Sequence, residues 1–161
     1  MSEPLNVHAT GLVLGDAGLL LRGPSGSGKS LLALALLDEW DLRRLPASLV
    51  ADDRVDLCVR GGAIVMRPPR SIEGLIELRG RGLVPRPFVA EAPLHLVVDL
   101  VETLVRMPEE SEFGTELLGL HLARCPVPKD GVADPRHQLV LVREALRRLS
   151  PGNRPAGREL T

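Results

Sequence analysis

The sequence predicts an α/β domain, and three observations carry that reading. Short apolar runs alternate along the chain with stretches of helical spacing. A glycine-rich segment, Gly23-Pro24-Ser25-Gly26-Ser27-Gly28-Lys29-Ser30, stands between a strand-like run and a helix-like one. With 161 residues, 44% of them hydrophobic and 25% charged, the chain has the size and apolar content of one packed domain.

Taken in order, the first ten residues have neither the basic start nor the apolar run of a signal peptide. Residues 11–14 and 19–21 flank the turn sequence Gly15-Asp16-Ala17-Gly18 and predict a hairpin. From Ser30 onward, Leu31, Leu32, Leu34, Leu36 and Leu37 predict a helix that is apolar nearly all round, as suits packing on a sheet. It is expected to end at residues 38–41. Residues 48–51 read as a strand running into Asp52-Asp53, and 55–59 with 63–66 predict a second hairpin around Gly61-Gly62. Residues 71–88, rich in Arg and Gly, are expected to form an active loop region before a strand at 94–100. The prolines of residues 126–135 predict a further loop, and 137–149 a terminal helix. Residues 151–161 lack apolar anchors and read as a flexible tail on a domain of residues 1–150.

The charge balance is 20 basic against 21 acidic residues, which lacks the basic excess that phosphate-backbone binding requires, so nucleic acid is not an expected partner. No apolar run is long enough to span a membrane. Cys58 and Cys125 lie far apart in sequence without partner ligands, which argues against a metal or redox motif and for a reduced, cytoplasmic setting. Only two of the basic residues, Lys29 and Lys129, are lysines.

Lys29 ends a full G-x-x-x-x-G-K-S pattern. The glycines let successive N–H groups face a polyphosphate, and the helix start adds its positive end. Lys29 would supply a compact charge to the outer phosphates and the Ser30 hydroxyl a magnesium ligand. An arginine's wide planar fork would not serve there. Beyond the first helix, Asp52 and Asp53 end a strand, where one carboxylate can face a metal or its water and the other an attacking hydroxyl. Glu77 and Arg79 lie two apart, so an extended segment would place both on one face beside Gly80 and Gly82.

The order of His8, the loop Gly23 to Ser30, Leu49-Val50-Ala51-Asp52-Asp53 and Leu75-Ile76-Glu77-Leu78-Arg79-Gly80-Arg81-Gly82 resembles the catalytic domain of HPr kinase/phosphorylase. That resemblance implies a P-loop α/β domain with a mixed sheet and flanking helices. It implies an ATP- and Mg2+-dependent serine kinase acting on an HPr-like phosphocarrier protein, with hexamers as the family's assembly. It places magnesium on Ser30 and Glu77, nucleotide phosphates on residues 23–30, and proton transfer on Asp53 with Asp52 close behind. It further puts His8 and Arg106 beside the reacting phosphoryl group, and Arg79, Gly80 and Gly82 against the substrate. Three departures stand out. Leu31 replaces the family's usual glutamate, Pro126-Val127-Pro128-Lys129-Asp130-Gly131 departs from the loop that serves phosphorolysis, and the chain begins almost at His8, like the family's short, catalytic-domain-only form. The second argues against phosphorylase activity, and the first two together motivate a different reading, a nucleotide-dependent regulatory module that binds a partner without phosphoryl transfer.

Overall fold

The structure, a computed structural model, describes residues 3–69 and 73–149; the expected flexible tail, residues 151–161, lies outside the described residues. In chain order the strands are β1 (Leu5–Val7), β2 (Ala9–Leu14) and β3 (Ala17–Arg22), followed by helix α1 (Lys29–Leu42). There follow β4 (Ala47–Ala51), β5 (Val55–Arg60), β6 (Ala63–Arg67), β7 (Leu75–Leu78), β8 (Gly82–Pro85), β9 (Ala92–Pro93) and β10 (Leu96–Val101). A 3-10 turn, Glu110–Phe113, leads to β11 (Gly114–Leu117) and β12 (Leu120–Pro128), and α2 (Pro135–Arg147) ends the described chain.

A six-stranded mixed sheet, ordered β11-β12-β10-β3-β2-β4, forms the centre. Strands β3, β10 and β12 run parallel; β2 is antiparallel to both β3 and β4, so β4 shares the direction of β3. A smaller sheet, β1-β5-β6-β9, lies beside it, and β7-β8 forms a separate hairpin. Side-chain alternation splits the central strands between two cores. Leu12, Leu14, Leu19, Leu21, Leu96 and Val98 pack with Leu32, Leu36 and Leu37 of α1 and Val142 and Leu146 of α2. Leu20, Val50 and Val97 turn the other way, onto Leu57, Ile64 and Met66 of the smaller sheet. Each fully buried leucine stabilises by about 1.5–3 kcal/mol, which makes this double interface the main source of stability.

The two hairpins and the first helix expected from the sequence are present with slightly wider limits, and the terminal helix, expected over 137–149, begins and ends two residues earlier. Helix α2 begins where Asp134 accepts a hydrogen bond from the Arg136 N–H at 2.8 Å with Pro135 at the first position. Two expectations are corrected. Residues 71–88 are not simply loop, since β7 and β8 pair across Arg79-Gly80-Arg81. Residues 126–128 are strand and not loop, because β12 continues along β10 as far as Pro128. Pro126 and Pro128 are tolerated there because β11 pairs β12 only up to Ala123. The outer edge beyond needs no N–H, and residues of alternate parity can donate to β10.

Candidate active site

The four co-directional strands end on one edge of the sheet, where ligands of open α/β sheets bind. Residues 23–28 leave β3 there, Asp52-Asp53 leave β4, and His8 precedes β2 at the same edge. Ala9 lies opposite Arg22 and its N–H donates to the Asp53 carbonyl at 3.2 Å.

The glycine-rich loop has its sharpest turns at Gly26 and Gly28, with φ of 81° and 95°. These are left-handed values that L side chains rarely adopt. Gly28 is also the N-cap of α1, which has no side-chain cap and no acidic residue in its first turn. The first N–H groups of the helix, at its positive dipole end, thus have no side-chain cap. The Lys29 side chain doubles back over the loop, and its ammonium donates to the Gly23 carbonyl at 2.7 Å and the Pro24 carbonyl at 3.1 Å. Lys29 is 7% exposed. Burial lowers its pKa, opposed by the attraction of Asp53 and Asp52. Ser27 Oγ is buried without a hydrogen-bond partner among the described residues. An uncapped helix start, a desolvated ammonium and an orphaned hydroxyl in one loop fit a bound polyphosphate.

The two aspartates part company at the strand end. Asp52 Oδ1 accepts from the Ser30 hydroxyl at 2.7 Å and from Thr10 Oγ1 at 2.9 Å, while Oδ2 accepts from the Glu77 N–H at 3.0 Å. Asp53, its side chain 73% exposed, hydrogen-bonds through Oδ1 to His8 Nε2 at 2.9 Å and holds a left-handed φ of 69°. Its neighbours are therefore split, with one carboxylate on the helix-start serine and the other facing solvent beside an imidazole. Among the described residues no group of three or more His, Cys, Asp or Glu side chains could hold a metal. Ser30 and Asp52 offer two protein oxygens side by side, the number that suits magnesium when phosphates and water complete its shell.

Glu77 is exposed on β7, its backbone tied to Asp52. Arg79 and Gly80 occupy the exposed turn after β7, and Gly82 opens β8. The strand ends at Leu78, so Glu77 and Arg79 do not share one extended face. Arg106 lies in the exposed segment after β10, without a hydrogen bond or ion pair to the described residues. Two neighbours escaped the sequence reading. Thr10 is a hydroxyl at a fully buried strand position, a signal that could have been noticed. Asp130 donates its N–H to the Ser27 carbonyl at 3.1 Å, and a Cβ on Gly28 would come within 2.9 Å of the Asp130 Cβ. Nothing local marks that approach.

The chain is 33% identical over 153 residues to HPr kinase/phosphorylases of Burkholderia cenocepacia and Paraburkholderia phymatum, with 88% of this chain aligned. It spans 44% of the length of those relatives. Its fold matches the Hpr(Ser) kinase/phosphatase from Coxiella burnetii with a TM-score of 0.69 at 27% identity, covering 87% of this chain and 89% of the other. Residues 1–118 match the family described as the HPr serine kinase C-terminal domain, and the chain belongs to that family.

Proposed function

We propose that this chain is an ATP- and Mg2+-dependent protein kinase that transfers the γ-phosphoryl group to a serine of an HPr-like phosphocarrier protein in the cytoplasm. The observation that carries this reading is the split pair at the end of β4, with Asp52 on Ser30 and Asp53 on His8, beside Lys29. Bound Mg2+-ATP supplies the phosphoryl group and the charge neutralisation that its transfer needs. The glycine-rich loop and Lys29 hold the phosphates. Ser30 and Asp52 would hold the metal, with Glu77 next to them. Asp53, accessible and oriented by His8, would accept the proton of the attacking serine hydroxyl at its carboxylate. Arg79 at the hairpin tip and Arg106 on the loop after β10 would meet the incoming protein or its phosphoryl group.

The departure at residues 126–131 carries into the structure: the Lys129 ammonium is engaged by Glu102 at 2.7 Å, and Asp130 brings a carboxylate against the phosphate loop. Neither favours binding of free inorganic phosphate, so phosphorolysis of the phosphoserine is expected to be weak. Incubation with γ-labelled ATP, magnesium and an HPr protein should label a serine. Tight nucleotide binding with a nucleotide-sensitive partner complex but no labelling at any HPr concentration would overturn kinase function in favour of a regulatory module.

A further inference from the structure

Thr10 stands in β2 opposite Leu21 and is fully buried, between the apolar positions Ala9 and Leu12. A valine would fill the same space with the same branching and without a polar group to satisfy. The hydroxyl is satisfied by one partner, the Asp52 Oδ1 at 2.9 Å. That oxygen is also the acceptor of the Ser30 hydroxyl at 2.7 Å, and the second carboxylate oxygen takes the Glu77 N–H at 3.0 Å. Three donors from β2, α1 and β7 therefore lock the plane of one carboxylate. By fixing the direction of the Ser30 O–H, the carboxylate also decides which way the serine lone pairs face. Of the three donors Thr10 is the one wholly inside the sheet, so it is the fixed point of the arrangement.

We propose that Thr10 is a positioning residue that aims Asp52, and through it the Ser30 hydroxyl, for the cation that accompanies the nucleotide. The inference rests on the magnesium role given above to Ser30 and Asp52. Partners that orient a metal's own ligands typically change metal affinity about 10- to 100-fold when removed.

The test uses Mn2+ as a spectroscopic probe, with its binding to the protein–ADP complex followed by electron paramagnetic resonance. Thr10→Val should weaken Mn2+ binding about 10- to 100-fold while metal-free ADP binds as in the parent protein. Thr10→Ser, which keeps the hydroxyl, should restore it. Should Thr10→Val not fold, Thr10→Ala carries the same expectation. Unchanged Mn2+ affinity in the valine or alanine variant would overturn the proposal, as would a serine variant no better than valine, since the methyl packing would then be what matters. Both results leave the kinase reading standing. A parent protein–ADP complex that binds Mn2+ no better than ADP alone would instead overturn the metal assignment itself.

Discussion

Asp99 on β10 is the junction of an ion network across the parallel strands, and its removal should be felt by the whole domain. Its Oδ1 accepts from Arg22 Nε at 2.7 Å, and its Oδ2 from Arg22 Nη2 at 2.9 Å and Arg124 Nε at 2.6 Å. Arg124 continues through Nη1 to the Glu112 carbonyl and carboxylate. The Asp99 and Arg124 side chains are 15% and 17% exposed and that of Arg22 is 31%. Asp99→Asn leaves one acceptor oxygen for two guanidiniums and turns an amide NH2 toward one of them. Breaking a buried pair by removing one partner costs about 3–5 kcal/mol. Water reaching Arg22 reduces this, and we expect about 2–4 kcal/mol. For a chain of this length that corresponds to a fall in Tm of roughly 5–15 °C.

Urea unfolding followed by Trp40 fluorescence, with calorimetry, measures this directly, since Trp40 is the single tryptophan and lies buried beside α1's core residues. The pH dependence supplies a second check. Burial alone would push the Asp99 carboxyl up, but the Arg22 and Arg124 bonds outweigh it and hold the group below the ordinary value of 3.8. A depressed native pKa contributes stability that is complete above 3.8 and is lost as the pH falls through the lower native value. The gap between parent and Asp99→Asn should be full at pH 7 and narrow only below pH 3.8. A gap under about 0.5 kcal/mol at pH 7 would refute the reasoning, since that is the size of an ordinary surface substitution.

Lys29→Arg should abolish detectable transfer, because the ammonium is wedged between the Gly23 and Pro24 carbonyls where a guanidinium has no room; a loss below about 100-fold in labelling rate would contradict it. Asp53→Asn should cut transfer by about 10²- to 10⁴-fold while ATP affinity, read by calorimetric titration, is retained. Gly18→Ala should yield little folded protein on expression, since its Cβ would stand 1.8 Å from the Pro93 carbonyl oxygen; full solubility with an unchanged urea midpoint would count against the packing described. His95 Nδ1 accepts the Gly18 N–H at 2.9 Å, which needs a neutral ring nitrogen, and burial lowers its pKa from 6.5 against the pull of Asp16. Its contribution is therefore full above pH 6.5 and declines below it, so urea midpoints at pH 8 and pH 5 should differ more in the parent than in His95→Gln.

The reach of sequence reasoning follows the range of the interactions involved. Strand, loop and helix around Lys29 are written in contiguous residues, because apolar periodicity, left-handed glycines and the helix start are all local. Asp52-Asp53 was legible for the same reason, as a polar pair ending an apolar strand. The β7-β8 hairpin was hidden by its Arg and Gly content, which reads as loop until its two edges are brought together across Arg79-Gly80-Arg81. The β11-β12 hairpin and the proline-containing end of β12 were missed because a proline's cost depends on whether a neighbouring strand needs its N–H.

Which aspartate takes which partner was beyond the reach of local pattern. Two adjacent carboxylates look alike in a string of letters. They diverge because β2 inserts between β3 and β4, bringing Thr10 to Asp52 and His8 to Asp53, while the start of α1 brings Ser30 to Asp52. The chain's own residue order carries the chemical parts of the site, while hydrogen bonds between residues 22 to 45 positions apart assign their roles, and only the folded tertiary structure brings such partners within 3 Å.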